Sequence, residues 1–136
     1  MPLAAHVIYF ENAVGRLSEH TDGYALVQYH PGPRDFRDFQ AFLTHLGNLL
    51  RRRGWHKVLS DQRALSAFTE QERVWIRQHW MQALQDTPTL TAVLLPEDVF
   101  ARLSAHSVLH DTREGNMVYH LFEQASEAAA WLRAAP

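Results

Sequence analysis

The sequence predicts an α/β fold, a single-domain mixed sheet whose N-terminal strands are antiparallel and whose later strands are parallel. Three observations carry this. Before Pro31, β-branched and aromatic runs are separated by turn residues. After it, apolar strand-like runs alternate with segments of helical periodicity, the pattern of a parallel sheet covered by helices. The 136 residues, 46% of them hydrophobic, suffice for one core over residues 1–136, with no linker or repeat interrupting them.

His6–Asn12 is the first strand. The second is placed at Val14–Glu19, where Gly15 marks a bulge or a close backbone approach. Asp22-Gly23 is a two-residue hairpin signal, because such turns need positive φ. The third strand, Tyr24–His30, puts Ala25, Val27 and Tyr29 on one face and Tyr24, Leu26 and Gln28 on the other. Pro31-Gly32-Pro33 stops it.

A long helix follows. Asp35 is its cap, and Phe36, Phe39, Phe42, Leu43, Leu46, Leu49 and Leu50 recur at spacings of three and four. Arg51, Arg52 and Arg53 meet the negative end of the helix dipole, and Gly54 suits a left-handed cap. That structural role of the arginines stands beside a phosphate- or nucleic-acid-binding one, which only Lys57 and Arg63 extend.

Lys57–Asp61 is a buried strand, and Thr69-Glu70-Gln71-Glu72 is a capping box opening a helix with Trp75, Ile76, Trp80, Ala83 and Leu84 on its apolar face. Leu90–Leu95 is too continuously apolar to face solvent. Pro96-Glu97-Asp98 opens another helix, with proline in its first turn and Val99, Phe100 and Leu103 on its buried side. A polar loop at Thr112–Asn116, a strand at Met117–Phe122 and a helix at Ala125–Ala134 complete the order.

The net charge of −2 gives no bulk attraction to nucleic acid or to an anionic membrane, although nine histidines turn the balance positive in acid. Without cysteine there are no disulfides, thiolate nucleophiles or sulfur-based zinc sites. No apolar run approaches the roughly 20 residues of a membrane span, and the N-terminus lacks a secretory pattern. The expectation is a cytoplasmic protein with no membrane span, no nucleic-acid partner and no cofactor. Trp75, Trp80, Tyr24 and Trp131 are more large aromatics than a short chain must bury, which raises a homodimer.

The segments FENAVGRLSEHTDGYALVQYHPG, WHKVLSDQR, LLPEDVFARL and FEQASEAAAWLRA together resemble the STAS/SEC14-like bacterial domains, related in fold to anti-sigma-factor antagonists. The resemblance covers nearly the whole chain and is one of pattern. It implies a regulatory or ligand-binding module. Antagonist members carry a phosphorylated serine in an Asp-Ser-Ser-Gly context after the strand corresponding to Lys57–Asp61. Here that place reads Ser60-Asp61-Gln62-Arg63, with Ser66 and Thr69 following.

Ligands of open α/β sheets sit beyond the carboxyl ends of parallel strands. This singles out Asp61, Gln62, Arg63, Ser66 and Thr69, where backbone donors of the Thr69 helix add to a site for a small anion or a partner peptide. Pro96, Glu97 and Asp98, with Glu123 and Gln124, share that end of the sheet. The structural alternative is that Asp61 and Arg63 pair and fix their own loop. His106 and His110 have the i, i+4 spacing of metal ligands, but no third ligand is evident and the sequence leaves open whether the helix reaches His110. His79 and His120 are base candidates without an orienting carboxylate nearby in sequence. No phosphate loop, dinucleotide glycine pattern or nucleophile elbow is present. Two functions follow: a non-catalytic module binding a protein partner or a small ligand through the loop after Lys57–Asp61, or a small histidine-dependent enzyme.

Overall fold

Strand-forming residues and tight turns at the start of the chain build an antiparallel meander of β1 (His6–Glu11), β2 (Gly15–His20) and β3 (Tyr24–Tyr29). The structure is a computed structural model and describes residues 6–80, 88–111 and 117–136. β4 (Lys57–Asp61), β5 (Thr89–Leu94) and β6 (Met117–Phe122) then add in parallel, giving a six-stranded mixed sheet in the order β1-β2-β3-β4-β5-β6. The hairpin loop holds three residues, Thr21 to Gly23, since His20 pairs with Tyr24, and Gly23 supplies the positive φ, +86°, on its own. Asp22 does not share it, which corrects the two-residue turn.

Gly15 is a close approach and not a bulge. A Cβ there would lie 2.4 Å from the Gln28 carbonyl oxygen and 2.8 Å from Phe42 Cζ. The register irregularity falls instead in β1, between Ile8 and Phe10.

The first crossover is α1 (Phe36–Arg53), capped by the Asp35 carboxylate, which accepts from the Arg37 and Asp38 amides, and closed by Gly54 at φ +65°. Its buried stripe of Phe39, Phe42, Leu43, Leu46, Leu49 and Leu50 packs on Leu17, Ala25, Val27, Tyr29 and Val58. The terminal arginines serve structure: Arg53 pairs with Glu19 at 2.6 Å and Arg52 lies over Tyr9. The second crossover holds α2 (Glu70–Trp75), which widens into a π-turn at Ile76–Trp80, with Ile76 and Trp80 buried in the same core. Ala83 and Leu84 lie outside the described residues, as does the Thr112–Asn116 loop.

α3 (Val99–Asp111) begins at Asp98, whose carboxylate accepts from the Ala101 amide at 2.8 Å. Pro96 therefore precedes the helix instead of entering its first turn. The apolar face expected of α3 is also reversed. Phe100 is 75% exposed and Val99 and Leu103 are exposed too, while Ala101 and Ala105 are buried. The inward side uses small residues: Ser104 accepts from the Phe68 amide at 2.9 Å and Ser107 accepts from Arg73, seating α3 beside α2. α1, α2 and α3 thus form one layer. Strands added in one direction through right-handed crossovers leave every crossover on one side.

α4 (Ala125–Ala134) covers the other face over β4 to β6, burying Ala128 and Leu132 against Tyr24, Leu59, Ala92 and Leu94. Lys57 Nζ reaches its C-terminus and donates to the Leu132 and Ala135 carbonyls at 2.6 and 2.7 Å. Tyr24 and Trp80 are buried within the chain, whereas Trp75 and Trp131 are half-buried and stack on His79 and His120. No helix among the described residues is long and apolar enough to cross a membrane.

Candidate functional site

Strand alternation sends Ala25, Val27 and Tyr29 to the three-helix side and Tyr24, Leu26 and Gln28 to the α4 side. The register then aligns a polar row on the α4 side, where Glu11 pairs with Arg16, Arg16 with Gln28, and Gln28 with Asp61. The next row runs through Ile8, Ser18, Leu26, Leu59 and Ala92. Because α4 covers only the β4–β6 half, the β1–β3 half of this face has no helix over it among the described residues.

The uncovered half and the flank of α4 enclose a groove. One lobe, about 330 Å³, is lined by Arg16, Gln28, His30, Asp61 and Arg63. A second, about 230 Å³, continues from Gln28, Asp61 and Arg63 over Leu26, Leu59 and Leu94 toward His20. Ala125 and Ala129 form its wall, and their small side chains keep it open. The wider lobe is of a size that takes small molecules.

Asp61 and Arg63 form a bidentate pair: Nε donates to Oδ1 at 3.0 Å and Nη2 to Oδ2 at 2.8 Å, with the Arg63 amide also reaching Oδ1. Hydrogen bonding to Asp61 raises the Arg63 pKa, so the guanidinium stays charged. At the mouth, His30 Nε2 lies 3.0 Å from Glu11 Oε2, and Arg16 Nε lies 3.3 Å from the same oxygen. The His30 hydrogen bond holds the Glu11 carboxyl below its ordinary range, outweighing the opposing effect of desolvation. At the far end, His20 Nδ1 accepts from the Asp22 amide at 3.0 Å and the ring stacks on Tyr24. An accepting Nδ1 leaves the proton on Nε2.

The other residues expected at this site stand elsewhere. Gln62 points to the opposite face, buried, with its amide nitrogen donating to Ser60 Oγ at 3.2 Å. Ser66 donates to the Gly32 carbonyl at 3.0 Å. Thr69 accepts from the Glu72 amide while Glu72 accepts from the Thr69 amide, so the capping box engages the helix start that the sequence offered as a source of free donors. Pro96, Glu97 and Asp98 serve structure: the Glu97 amide donates to the Arg63 carbonyl at 3.3 Å, Pro96 accepts from Arg102 and Asp98 caps α3. Glu123 pairs with Arg102, and Gln124 precedes α4 without a side-chain cap.

α3 continues through Asp111, so His106 and His110 share one helix, which answers the question the sequence left open, and His106 is exposed. Among the described residues no cluster of three or more histidine, aspartate and glutamate side chains is placed to hold a metal. His79 and His120 stack on Trp75 and Trp131, and neither is hydrogen-bonded to a carboxylate among the described residues. Among the described residues, the histidine hydrogen-bonded to a carboxylate is His30, which sequence reasoning missed because Glu11 lies 19 residues away across the meander. No family model, curated protein or solved structure matches the chain, so the groove is read from its own chemistry.

Proposed function

We propose that the chain is a non-catalytic binding or regulatory module of the STAS/SEC14-like kind, which takes a small ligand in the groove beside the loop after β4. The observation that supports this is the pairing of a polar row with an apolar floor in a concavity that α4 leaves uncovered. A small ligand suits that shape better than a flat protein surface does. A bacterial source, a cytoplasmic setting and a homodimer belong to the same reading and rest on the sequence. No cofactor is part of it.

Native mass spectrometry of the protein purified from cells tests the reading. A reproducible added mass is expected, lost when Ala129→Trp fills the groove. A mass that survives Ala129→Trp places the ligand elsewhere, and a chain that never carries one argues against the module.

The His30–Glu11 pair favours a second reading, a small enzyme with His30 as base. Under it, His30→Gln would still carry an added mass, shifted from that of the processed ligand to that of the unprocessed one.

A further inference from the structure

The ligand chemistry follows from which groups of the groove are already used, and this deepens the reading above and rests on it. Both oxygens of Asp61 accept from Arg63. Oε2 of Glu11 faces both His30 and Arg16. The donors are not used up. Arg63 Nη1, both terminal nitrogens of Arg16 and the side-chain amide nitrogen of Gln28 have no hydrogen-bond partner among the described residues, and His20 keeps its Nε2 proton. The formal charges of Arg16, Arg63, Glu11 and Asp61 cancel, yet the open hydrogen-bonding capacity is mostly that of donors.

Behind this donor cluster the floor is Leu26, Leu59 and Leu94 and the wall is Ala125 and Ala129. Ser18 lies in the row of Leu26 and Leu59, fully buried, with a hydroxyl that has no partner among the described residues. It lines neither lobe, so it does not count among the groove's donors.

We infer that the groove binds a small amphipathic oxyanion, a carboxylate or phosphate monoester whose charged end meets Arg16 and Arg63 and whose short apolar body lies on Leu26, Leu59 and Leu94. Asp61 acts as a positioning residue: its two oxygens fix the Arg63 fork so that the third nitrogen points outward, which reduces the ordering cost of binding.

Amide chemical-shift titrations of the full chain with hexanoate, hexyl phosphate, hexan-1-ol and hexylamine test this. Hexanoate or hexyl phosphate should shift the amides of Leu26, Arg63 and Ala129 at lower concentration than the other two, and the stronger of the pair identifies the head group. Arg63→Gln should weaken the preferred anion by about tenfold, as loss of a charge-assisted hydrogen bond does, and leave hexan-1-ol unchanged. Arg16→Gln repeats the test where Arg63→Gln perturbs the loop. Hexan-1-ol or hexylamine binding the groove as well as the anions overturns the oxyanion assignment while leaving the groove a site. No shift at the groove with any probe overturns both.

Discussion

Arg34 places both Nε and Nη2 on the Glu72 carboxylate, at 2.8 and 2.6 Å, and donates to the Ser66 and Ala67 carbonyls as well. Their side chains are only 4% and 2% exposed, so the loop before α1 is tied to the loop before α2 through a pair removed from water. Such a pair adds little over a well-packed apolar substitute, but removing one member strands the other charge. Glu72→Gln is therefore expected to cost about 3–5 kcal/mol in urea unfolding. A loss under about 1 kcal/mol would mean that water reaches Arg34. Pairs of this kind separate what the sequence shows from what it hides. Asp61 and Arg63 are two residues apart, so their pairing was foreseeable from local geometry. Arg34 and Glu72 are 38 apart, and periodicity reports a residue's face but not its partner across the fold.

Between elements, α1 and α3 show how far an apolar pattern can be trusted. Eighteen residues with phenylalanine and leucine at helical spacing leave α1 little freedom in which side to bury, and the structure buries that side. In α3 the large residues Val99, Phe100 and Leu103 cluster within the first turn and a half, while Ala101, Ser104 and Ala105 form a second, smaller face. That small face turns inward, with Ala101 and Ala105 buried and Ser104 half-buried, because alanine and serine allow close approach and the serines satisfy neighbouring donors. Size misled the reading of α3; hydrogen-bonding need decided it. Phe39→Ala should cost about 3–5 kcal/mol, since the ring is wholly buried. Phe100→Ala should change stability by less than about 0.5 kcal/mol. Equal losses in denaturant melts would show that α3 packs the other way round.

For the whole molecule, acid titrates several of the contacts that hold the meander together. Burial keeps the His20 pKa below its ordinary 6.5, against the attraction of Asp22. Just below that pH the unfolded chain binds more protons than the folded one, so stability rises with pH there. The His20 contribution is complete above pH 6.5 and is lost as pH falls through the folded value. Glu11 and Glu19, held down by hydrogen bonds from His30 and Arg53, act in the same direction below their ordinary 4.5. The melting temperature should fall in two stages as the buffer is acidified, and His20→Asn should remove the upper stage alone. A profile flat from about pH 7 to about pH 5 would mean that His20 titrates as it does in the unfolded chain. The order of strands and helices was legible at this scale, since alternation of periodicity is a property of long segments. The groove was not, because it depends on how far α4 extends across the sheet.

The strand order has a consequence for how the chain reaches its native state. Each strand pairs with the one synthesised just before it, and none is inserted between two that are already joined. The sheet can therefore grow from one edge as the chain emerges during translation, N-terminal meander first. At every stage the newest strand is the exposed edge, and its next partner is the next strand to be made. Pairings between sequence neighbours keep loop-closure costs low and shorten the time that unpaired edges stay open to other molecules.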